Sequence, residues 1–252
     1  MDTMDTVIDM HVHIGEDKDG ASQTLANLKK NMNAYGISNA AIFPFDEKKG
    51  DLIKASEILL EAKDSRFFPF LRFDPKLVKP GWISLALSKG FYGVKLHPRA
   101  QNFDPLDRKY YWIYREIEES GKPILFHTRK TVPTFIRNKK FKVSFFDPDR
   151  IVKLSSKFPG IDFIIGHFAG LSGPALEHIK KEDNLYTETS IFGTTFAVRR
   201  ISERIGVEKI IFGSDSPYSD QELELLKIKK SGLGKKEIKL ILHGNAKKVL
   251  KL

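Results

Sequence analysis

Two histidines one residue apart close an apolar run, Ile8-Asp9-Met10-His11-Val12-His13-Ile14-Gly15. On a β-strand alternate side chains leave by the same face, roughly 6.5–7 Å apart along it, so His11 and His13 can aim their imidazoles at one point. A metal ion with Zn–N bonds of about 2.0–2.1 Å fits that point. A solvated polar pair at a strand end is the plain alternative, and the pair alone does not separate the two. Further along, Lys95, His97, His127, His167 and Asp215 each close or follow another short apolar run.

The elements that must carry these residues alternate regularly. Apolar runs at Val7–Ile14, Ala40–Phe45, Phe68–Phe73, Gly93–His97, Pro123–His127, Asp162–His167, Leu185–Thr189 and Lys209–Gly213 read as strands. Amphipathic stretches at Ser22–Tyr35, Leu52–Ala62, Trp82–Ser88, Tyr110–Ser120, Asp149–Phe158, Pro174–Lys181, Thr195–Ile205 and Asp220–Lys229 read as helices, with a last one at Lys235–Leu250. Ser22 and Asp149 suit helix starts, and Gly36, Gly90, Gly121 and Gly206 suit helix ends. Strands each followed by a helix predict the α/β class, as one closed (β/α)8 TIM barrel forming a single domain over residues 1–252. The longer connections Pro98–Asp107 and Arg129–Pro148 follow strand ends and are the expected substrate cover, with plain solvent loops as the alternative.

In such a barrel, chemistry sits at the C-terminal ends of the strands. Five of the seven histidines fall there, whereas His178 reads as a helix-surface residue and His243 as structural. That clustering on one rim favours the metal reading over the solvated pair. His11, His13 and His127 offer neutral nitrogens, and Asp215 offers a carboxylate that can touch an ion and take a proton from its water. A divalent ion in an open site lowers the pKa of bound water from 15.7 to about 7, which supplies a nucleophile at neutral pH. His167 has three open roles: polarising the substrate, acting as general acid or base, or binding a second ion. Lys95, which shares strand parity with His97, is a carboxylated bridge between two metals, an ammonium for an anionic substrate group, or an ion-pair partner of Glu188. Arg72 and Arg129 fit a carboxylate-bearing substrate or surface salt bridges equally well.

Composition narrows the field. With no cysteine, disulfides and thiolate ligands are excluded, so a metal must be held by nitrogen and oxygen. Zinc is the first expectation, as one ion, with manganese or a second ion as alternatives. The acidic start Met1-Asp2-Thr3-Met4-Asp5-Thr6 lacks the basic and apolar regions of a signal peptide, and no apolar run approaches the roughly 18–20 residues of a membrane span. A cytoplasmic protein without membrane partners is expected. The net charge of +10 raises nucleic acid as a partner, but the lysines form scattered pairs without interleaved aromatics, which reads as a solvated surface. The expected partner is a small-molecule substrate, with homodimerisation left open.

As an ordered set, the motifs Ile8-Asp9-Met10-His11-Val12-His13, Gly93-Val94-Lys95-Leu96-His97-Pro98, Pro123-Ile124-Leu125-Phe126-His127-Thr128, Ile165-Gly166-His167, Asn184-Leu185-Tyr186-Thr187-Glu188-Thr189-Ser190, Phe212-Gly213-Ser214-Asp215-Ser216-Pro217-Tyr218 and Gly244-Asn245-Ala246 run nearly end to end. In these residues the chain resembles the amidohydrolase-2 group of the amidohydrolase superfamily, which includes metal-dependent hydrolases and non-oxidative decarboxylases. The resemblance implies one catalytic barrel and one divalent metal, often zinc, on residues matching His11, His13, His127 and Asp215, with His167 as the catalytic histidine. Glu188 departs from the aspartate more usual in the group. The leading expectation is a metal-dependent hydrolase of a small carboxylate-bearing molecule, with decarboxylation as a variant and Lys95, His97, Arg72 and Arg129 toward the substrate. The alternative is a TatD-type metal-dependent deoxyribonuclease; that family carries a glutamate ligand in a Gly-Glu-x-Gly-Leu-Asp stretch where this chain has Gly93-Val94-Lys95-Leu96-His97.

Overall fold

The computed structural model describes residues 6–17, 20–45, 51–62, 64–128, 147–191 and 194–252. The apolar runs become β1 (Ile8–Glu16), β3 (Asn39–Pro44), β4 (Phe67–Arg72), β5 (Gly93–Leu96), β6 (Ile124–Phe126), β7 (Phe163–Ile165), β8 (Leu185–Glu188) and β9 (Ile210–Ile211), all parallel. A strand not expected from the sequence, β2 (Ser22–Gln23), pairs antiparallel with β1. The described strands form one curled α/β sheet in the order β2-β1-β3-β4-β5-β6-β7-β8-β9.

The helices are α1 (Leu25–Tyr35), α2 (Leu52–Glu61), α3 (Trp82–Leu87), α4 (Tyr111–Ser120), α5 (Pro148–Ser155), the short turn α6 (Gly166–Ala169), α7 (Gly173–Lys181), α8 (Thr195–Ile205), α9 (Gln221–Lys229), α10 (Lys235–Lys239) and α11 (Asn245–Leu250). Two expected starts shift. Ser22 is not a cap, because Gly15 pairs with Gln23 and keeps the chain extended; Thr24 caps α1 instead, accepting from Asn27 N at 3.1 Å. Asp147 caps α5 two residues before Asp149, with Pro148 in the first turn, where its lost N–H has no helical partner to forfeit. The expected last helix is broken by a π-helical turn at Leu240–Gly244. Gly36 and Gly121 end α1 and α4 in the left-handed conformation that glycine adopts without a Cβ penalty. No helix among the described residues is long and apolar enough to cross a membrane.

The sheet buries both faces. Val94, Leu96, Ile124, Phe126, Phe163 and Ile165 pack with helix residues such as Ile113, Ile117, Ile151 and Ile179. The alternate residues Phe43, Phe70, Leu125, Ile164, Tyr186 and Ile211 form a second cluster with Val249 and Leu250 of α11. β1 changes sides partway along: Ile8 and Met10 belong to this second cluster, but Val12 and Ile14 belong to the helix-facing one. The cause is one extra residue in β1. Asp9 pairs with Ala40, yet Val12 pairs with Ile42 and His13 with Phe43, a β-bulge. Since side chains alternate with a period of two, a one-residue slip exchanges the faces. It turns His11 and His13 onto the side that Ile8 and Met10 occupy below.

β1 also meets the segment leaving β9. Met10 N donates to Phe212 O at 2.9 Å, Asp215 N to His11 O at 2.8 Å and His13 N to Ser216 O at 2.8 Å, and Val12 and Ser216 form an isolated parallel bridge. Among the described residues this seam is a set of single contacts and not a ladder between β1 and β9.

Candidate metal centre

Residues from the ends of five strands converge on one rim. His11 and His13 stand on β1, Lys95 on β5, His127 just past β6, His167 just past β7 and Asp215 beyond β9. Asp215 Oδ1 lies 3.0 Å from His11 Nε2 and 3.0 Å from His13 Nε2. A tetrahedral ion with bonds of about 2.0–2.1 Å keeps its ligand atoms about 3.3 Å apart, close to the separation of Asp215 Oδ1 from each of the two imidazole nitrogens. His11, His167 and Asp215 also bring one ligand atom each within 4.8 Å of one another. All are buried. The donor set of imidazole nitrogen and carboxylate oxygen, without thiolate, fits a divalent ion of the zinc or manganese type.

Lys95 is buried with its ammonium 4.7 Å above the Phe43 ring, and its Nζ lies 2.8 Å from His11 Nε2. It aligns in register with Arg72 on β4, so both leave the sheet by the same face. Arg72 is buried and donates through Nη1 to Pro44 O at 2.6 Å. His97 stacks on His127 with ring centroids 3.8 Å apart, and its backbone N–H donates to Gln101 Oε1 at 2.6 Å. His13 is flanked by the Phe45 ring at 4.8 Å and the Tyr218 edge at 5.5 Å. Its Nδ1 has no hydrogen-bonding partner among the described residues. Arg129 and nearly all of the Arg129–Pro148 connection lie outside the described residues. Away from the rim, His178 pairs with Glu182 Oε1 at 2.9 Å on α7, and His243 lies in the π-helical turn.

Burial and charge set the protonation of the cluster. Burial pulls His13 down to about 3 and His167 down to about 4, and holds His97 and His127 well below the usual imidazole range. For His11, burial and Lys95 push down, but the carboxylates of Asp215 and Glu188 outweigh them and raise it. Burial works to raise Asp215 and Glu188, yet the charge and hydrogen bonding of His11 hold both below the carboxylate range. Neutral imidazoles beside ionised carboxylates are the forms that bind a metal.

Three buried residues matter that the sequence did not single out as site residues. Glu188 Oε1 accepts from His11 Nδ1 at 3.1 Å, from the His167 backbone N–H at 2.6 Å and from Ser190 Oγ at 2.9 Å, while Oε2 accepts from Ser190 N at 2.7 Å. Its seat exists because two neighbours are glycines. A Cβ on Gly213 would lie 2.6 Å from Glu188 Oε2 and 3.0 Å from His11 Cβ, and one on Gly166 would lie 2.9 Å from Phe126 O. Ser190 reaches His167 Nδ1 at 2.8 Å. Asp9 accepts from Ser214 N at 2.9 Å, Gln221 Nε2 at 2.8 Å and His11 N at 3.2 Å, fastening β1 to the segment that delivers Asp215. The polar run Thr187-Glu188-Thr189-Ser190 at the end of an apolar strand was the available signal for the first two. His167 and Asp215 themselves sit at φ 58° and φ 60°, a left-handed backbone that costs a non-glycine residue on the order of 1 kcal/mol or more. The surrounding hydrogen bonds hold them there.

A family model described as amidohydrolase matches residues 8–252. The chain belongs to the amidohydrolase family. Among solved structures it is similar to 5-carboxyvanillate decarboxylase from Sphingomonas paucimobilis, at 14% identity and a TM-score of 0.79 over 98% of this chain and 99% of that one. It is also similar to dihydroxybenzoic acid decarboxylase from Polaromonas sp. JS666, with bound manganese and the inhibitor 2-nitroresorcinol, at 16% identity and 0.78 over 99% and 98%. A third is a putative 2-pyrone-4,6-dicarboxylic acid hydrolase from Pseudomonas putida, at 16% identity and 0.74 over 99% and 98%. No curated protein matches the sequence.

Proposed function

We propose that this chain is a metal-dependent enzyme that cleaves a small carboxylate-bearing molecule, with His11, His13, His127 and Asp215 holding one divalent ion and His167 facing the substrate. The observation that carries the reading is the meeting of His11 Nε2 and His13 Nε2 on Asp215 Oδ1 at 3.0 Å each, at the buried mouth of the sheet. The ion would supply Lewis-acid activation of water or of a substrate oxygen. The chain supplies the rest. Asp215 takes or returns a proton at Oδ2, the carboxylate oxygen that does not meet His11 and His13, His167 exchanges one at a ring nitrogen, and the ammonium of Lys95 draws an anionic substrate group toward the histidines. Arg72, behind Lys95 on the same face, adds positive charge without leaving the wall.

Hydrolysis and non-oxidative decarboxylation draw on the same five residues. Decarboxylation is favoured by the activities named for two of the similar structures, and hydrolysis by the third. Zinc suits the cysteine-free donor set, and manganese is bound in one of those structures. The reading includes a closed (β/α)8 barrel, supported by the seam hydrogen bonds between β1 and the segment after β9.

The test is to load purified protein with zinc or manganese, measure bound metal, and assay hydroxybenzoates, carboxylated phenols and cyclic esters of small acids. Carbon dioxide release identifies a decarboxylase, and uptake of labelled water oxygen into the product identifies a hydrolase. Less than a tenth of an equivalent of either metal would overturn the reading.

A further inference from the structure

From the hydrogen bonds beneath the rim, we infer that Glu188 is a positioning residue that fixes the proton-bearing nitrogen of three histidines, His11, His167 and His127, by direct contact and by relay through Ser190. Its catalytic meaning rests on the proposed function. The argument starts from groups whose role has no choice. Backbone N–H groups only donate, so the bonds from His167 N to Glu188 Oε1 and from Ser190 N to Oε2 make both carboxylate oxygens acceptors. His11 Nδ1, 3.1 Å from the same Oε1, must therefore carry its proton there, which turns Nε2 toward Asp215 and Lys95.

The Ser190 hydroxyl has one proton, and it too lies 2.9 Å from Oε1, so that proton goes to the carboxylate. Ser190 Oγ then has only lone pairs left for His167 Nδ1 at 2.8 Å, and Nδ1 must be the donor. A neutral imidazole has one N–H, so His167 Nε2 is bare. That bare nitrogen stands 3.0 Å from His127 Nδ1, which must donate in turn, leaving His127 Nε2 with its lone pair free for an ion. One carboxylate thus imposes the Nδ1–H form on three rings, the opposite of the tautomer free histidine favours in water. Ligating histidines commonly give their second N–H to a carboxylate; here the instruction passes through a serine and a non-ligating histidine to reach a ring that Glu188 does not touch. Gly213 and Gly166 leave the space that the carboxylate fills, and the hydrogen bonds from His11, His167 and Ser190 hold it there.

The experiment is long-range proton–nitrogen correlation on the full chain labelled with 15N-histidine, metal-free and zinc-loaded, at pH 8. His167 and His127 are expected with a pyrrole-type Nδ1 and a pyridine-type Nε2 in both samples. Ser190→Ala should convert His167 and His127 wholly or partly to the Nε2–H pattern, leave His11 Nδ1 protonated, and change zinc affinity less than about 3-fold. Glu188→Gln should release all three rings and weaken zinc by roughly 10- to 100-fold. An Nε2–H pattern at His167 or His127 in the wild type overturns the relay, as does a Ser190→Ala protein in which both keep Nδ1–H. Nδ1–H forms in a protein that binds neither zinc nor manganese would uphold the relay and refute the proposed function. Nε2–H forms in a zinc-bound protein would do the reverse.

Discussion

At the scale of residues, the candidate site divides into groups that the proposed function turns toward an ion and groups that aim them. His11→Ala removes a nitrogen that meets Asp215, so this variant should purify with little metal. His167→Ala should keep most of its metal and lose turnover; equal metal loss in both, by elemental analysis, would place His167 among the ligands of a second ion. Gly213→Ala probes the aiming groups without touching a titratable residue. The new methyl would press on Glu188 and His11, and overpacking of this kind costs about 1–3 kcal/mol. A lowered urea midpoint together with weaker zinc binding is expected. The candidate ligands could be proposed from the sequence because histidines at strand ends have few ordinary reasons to be there. Glu188 was visible only as a departure from a family pattern and as a partner for Lys95. Apart from Ser190, two residues on, its contacts come from residues far apart in the chain, and no spacing rule connects His11, Gly166 and Gly213.

Among elements, the eight parallel strands were legible from apolar runs, since a buried strand needs little more than that. The bulge in β1 was not. Read as an unbroken strand, Ile8-Asp9-Met10-His11-Val12-His13-Ile14 puts both histidines on the face opposite Ile8 and Met10, away from the interior that the other strands line. The extra residue corrects the phase, and it is a tertiary effect: Asp9 is held by Ser214 and Gln221 while His13 registers with Phe43. β2 escaped for a similar reason, being two residues long and kept extended partly by Gln23, whose amide donates to His13 O at 2.9 Å and accepts from Ser216 Oγ at 3.0 Å. Asp9→Ala should therefore do more than delete a charge. It strands buried donors on Ser214, Gln221 and His11, at a cost of about 3 kcal/mol, whereas Asp9→Asn keeps an acceptor and should cost less; denaturant unfolding of the two compares them.

For the whole molecule, burial of neutral histidines makes stability depend on pH. His13 and His167, at about 3 and about 4 when folded, bind fewer protons than in the unfolded chain, where histidine titrates near about 6.5. The stability they carry is therefore whole above about pH 6.5 and falls as pH drops toward their folded values. His11, raised in the fold, contributes in the opposite sense, present at low pH and lost as pH rises through its folded value. With His97 and His127 lowered as well, four depressed histidines outnumber it, so the metal-free protein should lose at least about 2 kcal/mol between pH 7.5 and pH 5 in urea titrations. Unchanged or greater stability at pH 5 would contradict the buried neutral rings.

The seam between β1 and the segment after β9 gives the proposed ion a second task. His13 and Asp215 are 202 residues apart in the chain, and an ion shared between them is a cross-link around nearly the whole fold. A covalent link closing so long a loop removes roughly 5 kcal/mol of unfolded-state entropy, and a metal clip acts in the same direction. During synthesis the nascent chain exposes His11 and His13 early but cannot clasp an ion with Asp215 until the last parallel strand has emerged. Metal capture would then mark the completed protein, like a latch that engages only when the lid meets the box.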